Sequence, residues 1–189
     1  MNISKFKKWN NLIGFITFLI AFITYSLTVE PTASYWDAAE YISTSAKLQV
    51  GHPPGAPFFQ MLGAFFASFA SNPDQIAFMV NMMSVFASAF TILFLFLTIT
   101  IIGKKIVLKN NSISNSNAII ILGSSLIGSL CFTFSDSFWF NAVEAEVYAM
   151  ATMIMALLFW LGFKWEENMD KNGGGRWLVL ISFVVGLSF

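Results

Sequence analysis

The chain alternates between long apolar runs and short polar segments. Apolar runs cover about residues 12–29, 76–102, 118–134 and 147–163, and a fifth begins at Trp177. A helix needs about 17–25 residues to cross a bilayer core, whereas membrane barrels are built from alternating segments of about ten residues. The pattern therefore predicts an all-α fold, a polytopic membrane helix bundle with about five spans.

The first and fifth apolar runs each lead to a further prediction. The fifth run holds only about 13 residues, which is too short to cross a bilayer. We therefore expect residues 1–189 to be the N-terminal fragment of a single transmembrane domain, cut within its fifth span. The first run follows Lys5, Lys7 and Lys8 and also has features of a cleavable signal peptide, although its length favours an uncleaved anchor.

Composition narrows the class of protein. Hydrophobic residues make up 57% of the chain and charged residues 11%, whereas soluble domains contain roughly 25% charged residues. These values exclude an ordinary soluble globule and an intrinsically disordered chain. A single cysteine, Cys131, excludes an internal disulfide and a multi-cysteine metal site. We expect the lipid bilayer, and no nucleic acid, as a partner.

The basic residues predict the orientation. If the N-terminus lies in the cytoplasm, nine of the ten Lys and Arg residues fall inside and only Lys47 falls outside. The acidic residues show the opposite bias, and those that fall outside are Glu30, Asp37, Glu40, Asp74, Asp136, Glu144 and Glu146. The sequence therefore predicts two external loops, at about residues 30–75 and 135–147.

The first external loop is predicted to contain two short helices. Ser34 and Asp37 match a loose N-terminal capping pattern, which predicts a helix over about residues 35–48. Gly51 and the prolines of the sequence GHPPGAP end this helix and form a rigid turn. The apolar segment 58–69 is too short to span, so we expect it at the membrane interface or packed against the bundle.

Carboxylates in this loop are candidates for chemistry. Helical spacing puts Asp37, Glu40 and Tyr41 on one face and Trp36 beside Glu40. Such a face could take a proton from an acceptor hydroxyl, or bind a cation or a sugar; alternatively, Asp37 only caps the helix and Glu40 is solvated. His52, the only histidine, could bind a phosphate, carry a proton near neutral pH, or serve only the turn.

The second external loop has a similar composition. Trp139 lies between two phenylalanines, which is typical of an interfacial aromatic belt. Glu144 and Glu146 are two residues apart, so on a helix at most one of them faces the same cavity as Asp37. Acids at the membrane edge are functional candidates if they are buried and mean little if they are solvated. The residues predicted to share the face of Glu144 are Asn141 and Tyr148.

Three motifs carry a family resemblance. They are WDAAEY at 36–41, GHPPGAP at 51–57 and AVEAEVYA at 142–149. With them the chain, from about Trp9 onward, resembles domain-of-unknown-function family 2723, a bacterial membrane family. Its eukaryotic relative is an endoplasmic-reticulum protein O-mannosyltransferase acting on receptor ectodomains, and both resemble the GT-C class of polytopic glycosyltransferases.

The resemblance implies an enzyme. GT-C members transfer a sugar from a polyprenyl-phosphate-linked donor to a hydroxyl acceptor, here an exported protein or glycan, on the non-cytoplasmic side. Asp37 matches the acidic residue near the start of the first external helix, which implies a general base or acceptor-orienting carboxylate, and Glu40 is the second catalytic candidate. The candidate substrate-binding residues are Trp36, Tyr41, His52, Asn141, Glu144, Glu146 and Tyr148.

The sequence also allows expectations about a metal cofactor and about the membrane in which the protein lies. No cofactor is certain, although Asp37, Glu144 or Glu146 could supply oxygen ligands to Mg²⁺ or Mn²⁺. The external cations are few, Lys47 and His52, so we expect the main phosphate-binding residue beyond this chain and the fragment alone to be inactive. The expected location is the bacterial cytoplasmic membrane, with a periplasmic active face.

Two other classes of function stay open. A transporter or flippase for a lipid-linked or small polar substrate places polar or broken helices at mid-membrane, whereas these spans are apolar apart from scattered Thr, Ser and Asn81. A scaffold whose loops bind a partner protein would tolerate neutralisation of every external acid.

Overall fold

The computed structural model describes residues 1–53, 55–107 and 113–188, and all regular structure in these ranges is helical. The helices are α1 (Ile3–Thr28), α2 (Ala38–Lys47), α3 (Pro57–Ala67), α4 (Ile76–Val107), α5 (Asn115–Thr133), α6 (Asp136–Ala142), α7 (Val147–Glu166) and α8 (Gly175–Leu187). A 3₁₀ turn, Pro73–Gln75, leads directly into α4. The all-α prediction is confirmed.

Four helices, α1, α4, α5 and α7, are long and apolar enough to cross a membrane. The shortest, α5, has 19 residues, which at 1.5 Å per residue gives about 28 Å, close to the thickness of the hydrocarbon core. Helix α8 has 13 residues and is too short to span, as its sequence predicts. The chain is therefore an integral membrane protein with several spans.

Helix α4 lies at the centre of the bundle and packs against α1, α5 and α7. Val85, Ala89 and Ile92 of α4 are buried in a core cluster shared with α1 and α6. Small residues such as Ala89 let membrane helices approach closely. Thr100 of α4 donates a hydrogen bond to the hydroxyl of Ser125 in α5 at 3.1 Å, so both apolar and polar contacts hold this centre.

Charged residues gather at opposite ends of the bundle. At one end, Glu167 lies 3.3 Å from Lys104 and 2.8 Å from Lys164, and Glu166 pairs with Lys105. The C-terminal ends of α4 and α7 therefore meet there, whereas α2, α3 and α6 connect the helices at the other end. This grouping matches the predicted loops, while the side of the membrane that each end faces stays a prediction.

Helices α2 and α3 form a hairpin that packs on α4. Phe59 of α3 lies edge-on against Tyr41 of α2, with ring centroids 5.2 Å apart. Gly63 permits the close approach, because a Cβ there would lie 2.4 Å from the hydroxyl oxygen of Ser45. Of the two placements predicted for segment 58–69, the structure has the one packed against the bundle.

Some predicted boundaries and surfaces differ from the structure. The second apolar run, predicted to end at residue 102, continues as helix to Val107. The predicted aromatic belt is partly internal, because Phe138 is buried and Trp139 donates its indole N–H to the Thr28 hydroxyl at 2.9 Å. Three residues of the sequence predictions lie outside the described ranges, namely Pro54, Lys109 and Phe189.

Candidate active site

Asp37 occupies the N-cap position of α2, and its carboxylate makes no capping hydrogen bond. The predicted helix therefore starts later than residue 35. Trp36, the residue before it, is 85% exposed and has a φ of 61°, a conformation that costs energy for a bulky side chain and recurs at functional sites. The prediction that Trp36 neighbours Glu40 on a helix is wrong, because Trp36 precedes the helix.

Glu40 holds His52 in place. The backbone N–H of His52 donates to Oε1 of Glu40 at 2.7 Å, and Nδ1 of the ring lies 3.1 Å from Oε2. On the other side of the ring, Nε2 lies 3.9 Å from Oδ2 of Asp37. The backbone hydrogen bond, and then the ring hydrogen bond, hold the pKa of Glu40 below its usual value. The imidazole is thus fixed between two carboxylates.

The turn that carries His52 depends on backbone conformation. Helix α2 ends at Lys47, and its C-cap residue Leu48 has a left-handed conformation with a φ of 49°. Gly55, with a φ of 80°, donates its N–H to the carbonyl of His52 at 2.9 Å. At Gly51 a Cβ would lie 3.3 Å from Oε1 of Glu40, so a side chain there would press on the carboxylate that holds His52.

Glu144 and Glu146 are not on a helix as predicted, because residues 143–146 are non-helical between α6 and α7. Both carboxylates are buried, with 4% and 5% of their surface exposed. Glu144 accepts a hydrogen bond from the hydroxyl of Ser34. Ser34 was predicted to cap α2 and instead binds the second external loop. Glu146 is the N-cap residue of α7 and lines the same groove as Asp37.

Asn81 positions the segment that leads to Asp37. It is fully buried in α4, and its Nδ2 donates to the backbone carbonyls of Glu30 at 2.7 Å and Thr32 at 2.9 Å. The N–H of Glu30 donates in turn to the carbonyl of Val143 at 2.9 Å. A central helix and the two loops that are predicted to be external are therefore joined through one short segment.

A groove of about 1050 Å³ opens beside these residues and runs along α7. Its polar end is lined by Asp37, Tyr41, His52, Glu146 and Tyr148. The rest is mainly apolar and includes Met150, Ile154, Met155, Leu158, Phe159 and Phe163. The groove therefore joins an acidic head region to a long apolar wall on a membrane-spanning helix.

Burial changes the acid–base character of the head region. Burial, followed by the charges of Glu144 and Asp37, raises the pKa of Glu146. Burial, followed by the charge of Glu146, also raises the pKa of Tyr41. Glu146 therefore keeps its proton to a higher pH than a solvent-exposed glutamate does.

Asp37, Glu40 and His52 could contribute to a cation site, since one potential ligand atom from each lies within 4.8 Å of the others. Carboxylate and imidazole donors suit Mn²⁺, and carboxylates suit Mg²⁺. Both oxygens of Glu40 are already engaged by His52, so Asp37 is the more available carboxylate. Glu144, a predicted oxygen ligand, is turned toward Ser34 instead.

Most of the predicted site residues come together. Six of the nine are gathered at the head of the groove, namely Asp37, Glu40, Tyr41, His52, Glu146 and Tyr148. Trp36 is exposed outside the groove lining, Asn141 donates to a carbonyl of its own helix, and Glu144 is buried against Ser34. Lys47, a predicted external cation, is not among the groove residues.

Sequence reasoning missed the residues that hold the site in place. Asn81 had one usable signal, since an amide within an apolar span usually has a specific polar contact. Nothing near Ser34 in the sequence indicates its contact with Glu144, 110 residues away. The groove wall on α7 was also missed, because an apolar span offers no pattern that distinguishes its faces.

Comparisons with known proteins agree with one another. The sequence profile described as the protein O-mannosyl-transferase TMEM260 N-terminal domain matches residues 37–189. The chain is 30% identical over 148 residues to protein O-mannosyl-transferase tmem260 of Dictyostelium discoideum, covering 78% of the chain and 16% of that relative. It is 26% identical over 164 residues to protein O-mannosyl-transferase TMEM260 of Mus musculus, covering 87% and 21%. The chain thus spans a minor part of the length of these relatives. No solved structure matches it.

Proposed function

Because the chain belongs to the family of the protein O-mannosyl-transferase TMEM260 N-terminal domain, we propose that it forms part of a membrane glycosyltransferase. The proposed reaction transfers a sugar from a polyprenyl-phosphate-linked donor to a hydroxyl group of an exported protein or glycan. The observation that carries this proposal is the groove, in which Asp37, His52 and Glu146 lie at one end of an apolar wall on α7.

The division of the groove supports a lipid-linked donor. Such a donor has a polar sugar phosphate and a long apolar chain, and the groove has an acidic head and an apolar wall of matching order. Helix α7 is a candidate membrane span, so the apolar part can receive a prenyl chain directly from the bilayer. The carboxylates and the tyrosine hydroxyls of the head region are suited to bind sugar hydroxyls.

Asp37 is the proposed general base. The acceptor hydroxyl attacks the anomeric carbon, the bond from that carbon to the phosphate oxygen breaks, and the phosphate leaves with the electron pair. The hydroxyl proton passes to the carboxylate of Asp37, which is free of capping bonds and lies in the groove. A positioned base of this kind typically contributes about 10²–10⁴-fold to the rate.

The leaving phosphate needs a positive partner. The ring of His52 lies 3.9 Å from Asp37 and is held on its other side by Glu40, so an imidazolium there would place a positive charge beside the phosphate. Alternatively, a divalent cation, Mg²⁺ or Mn²⁺, held through Asp37 and the neutral ring of His52 would supply that positive charge. Tyr148 and Glu146 are proposed to contact the sugar, because both line the head of the groove.

We also propose that the protein is of the GT-C class and that its active site lies on the non-cytoplasmic side of the membrane. The lysine-rich ends of α4 and α7 lie away from the end that carries Asp37, and basic residues favour the cytoplasmic side. The N-terminus would then be cytoplasmic and the site non-cytoplasmic. Membership of the bacterial family 2723, and with it a place in the bacterial cytoplasmic membrane, stays a prediction.

The test uses the full-length protein in its own host. Glycan occupancy of exported proteins is measured by mass spectrometry in the wild type, a deletion strain and an Asp37→Asn strain, at matched membrane levels. Asp74→Asn is the matched control, because Asp74 is an exposed acid just before α4 and outside the groove. Loss of occupancy in the deletion and in Asp37→Asn, but not in the control, is expected.

Other outcomes separate the parts of the proposal. Loss in the deletion alone keeps the enzyme and rejects Asp37 as its base. Loss in neither strain rejects a protein glycosyltransferase; substrate-dependent flux in proteoliposomes would then favour a transporter or flippase.

A further inference from the structure

A second cavity, of about 800 Å³, lies at the opposite end of the bundle, among α1, α4, α7 and α8. We call it the lysine cavity. Its charged lining residues are Lys7, Lys104, Lys164, Lys171 and Glu167. Four ammonium groups thus face one carboxylate, which leaves a net charge of +3. The lysine cavity shares no lining residue with the groove and plays no part in the proposed reaction.

The carboxylate of Glu167, the acid of this cavity, contacts two of the lysines. Glu167 lies 3.3 Å from Nζ of Lys104 and 2.8 Å from Nζ of Lys164. These three side chains are only 34%, 29% and 27% exposed, in the order Lys104, Lys164, Glu167. Burial acts to raise the pKa of Glu167, yet the two lysines hold it below its usual value. Glu167 therefore stays ionised and neutralises one lysine's charge, not both.

Within the described residues, Lys7 and Lys171 form no ion pair with an acid. Lys171 donates to the neutral side-chain oxygen of Asn168 at 2.9 Å, and no ion pair of Lys7 is found in the described part of the chain. Two further amides, Asn10 and Asn11 of α1, line the cavity. The lining therefore offers several N–H donors beside the unneutralised positive charge, as a phosphate oxygen requires.

Apolar walls adjoin these donors. The cavity is also lined by Leu97 and Ile101 of α4 and by the rings of Trp160 and Trp177. Tryptophan rings and lysines at the ends of membrane helices mark the level of lipid headgroups. A ligand that fits must carry an anionic oxygen-rich group next to apolar chains.

We propose that the lysine cavity binds the phosphate headgroup of an anionic phospholipid. Clustered lysines repel one another, and a phosphate among them reduces that repulsion while its acyl chains lie on the adjoining apolar wall. Inorganic phosphate shares the headgroup chemistry but lacks the chains. This inference does not depend on the proposed glycosyltransferase activity.

The experiment uses the purified full-length protein in detergent. Lipid binding is measured by native mass spectrometry and by the thermal shift on adding phosphatidylglycerol, phosphatidylcholine or inorganic phosphate. The test variant is Lys7→Gln with Lys171→Gln, because both residues line the cavity and are exposed. The matched control is Lys5→Gln with Lys8→Gln, which removes the same charge near the same helix end, outside the cavity lining.

We expect phosphatidylglycerol to bind selectively over phosphatidylcholine, with roughly tenfold or greater weakening in the test variant and little in the control. Melting without added lipid verifies that both variants are folded. Equal weakening in both variants would mean diffuse surface attraction and would overturn the proposal. So would no weakening in either variant. If inorganic phosphate bound as tightly as phosphatidylglycerol, the ligand of the cavity would be a free anion, and the lipid proposal would be overturned.

Discussion

Both carboxylate oxygens of Glu40 contact His52, one at its backbone N–H (2.7 Å) and the other near Nδ1 of its ring (3.1 Å). The opposite ring nitrogen, Nε2, therefore faces Asp37 at 3.9 Å and the groove beyond it. Of the two carboxylates predicted to be catalytic, Asp37 is open to the groove while Glu40 is occupied by His52. We therefore propose Glu40 as a positioning residue that acts through the imidazole.

Glu40→Gln is expected to lower transfer activity on the order of tenfold to a hundredfold, because misplacement of a reacting group by about 1 Å can have that effect. The membrane level of the protein should be unchanged. Glu40→Asp, with a shorter carboxylate, should recover part of the activity. Activity equal to the wild type in Glu40→Gln would show that His52 does not depend on a carboxylate beside its backbone N–H and Nδ1.

The same pair predicts a pH effect on the turn. The pKa of Glu40 is lowered in the folded protein, so its stabilisation of the turn is complete above the ordinary glutamate value of 4.5 and is lost as the pH falls through the lowered one. Hydrogen exchange across residues 48–56, corrected for intrinsic rates, should show opening at acidic pH in the wild type. In Glu40→Gln this pH dependence should disappear.

Glu144 gives a pair of variants with opposite effects. Burial raises its pKa, although the Ser34 hydrogen bond acts against it, so ionisation destabilises the folded state as the pH rises through the raised value. Glu144→Gln keeps an acceptor for Ser34 and should become more stable, relative to the wild type, with increasing pH. Glu144→Ala leaves the hydroxyl unpartnered and should cost about 1–3 kcal/mol. Thermal unfolding in detergent at several pH values tests both.

Asn81→Leu removes the donor that two backbone carbonyls share. Leaving the carbonyls of Glu30 and Thr32 without it is expected to cost about 2–4 kcal/mol and to lower activity, since the segment leads to Asp37. Ser84→Ala is the control, because Ser84 is buried one turn along α4 and its hydroxyl has no partner among the described residues. A similar melting temperature for both variants would contradict the anchoring role of Asn81.

Gly63→Ala tests the contact between α2 and α3. The added methyl would lie 2.4 Å from the hydroxyl oxygen and 2.7 Å from Cβ of Ser45, so a loss of about 1–3 kcal/mol is expected. Gly123→Ala is the control, since a Cβ at Gly123 meets no atom within 4 Å. Ser45→Gly should restore part of the stability lost in Gly63→Ala. Equal melting temperatures of the two alanine variants would show that the α2–α3 hairpin accommodates the added methyl group without loss of stability.

Ala151→Trp tests the apolar wall of the groove. Ala151 lies on the groove face of α7, and an indole there would occupy the space proposed for a prenyl chain. The Michaelis constant for the lipid-linked donor should rise while that for the acceptor changes little. Ile119→Trp, on an exposed position of α5, is the control. An unchanged donor constant in Ala151→Trp would exclude this groove as the donor site.

The candidate spans could be predicted because the thickness of a bilayer sets a minimum length for a spanning helix, and the length of each apolar run can be compared with it. The C-terminal end of α2 was also predictable, since Lys47 and the glycine and proline positions after it signal a helix end. Carboxylates and a single histidine are rare in so apolar a chain, which made them candidates, and six of the nine candidate residues come together in the structure.

The failures have a common physical cause. Residues 143–146 resemble helix in sequence, but Val143 and Glu144 bind Glu30 and Ser34 from the first external loop. Tertiary hydrogen bonds thus override local helix propensity. Trp36 takes a left-handed conformation that no local pattern requires. Which of Glu144 and Glu146 enters the groove is decided by these distant contacts.

The contacts of the segment around Glu30 set an order of events during synthesis. Asp37 is synthesised before the residues that position the segment leading to it, which are Asn81, 51 residues after Glu30, and Glu144, 110 residues after Ser34. The head of the groove therefore cannot mature before α7 starts to enter the membrane.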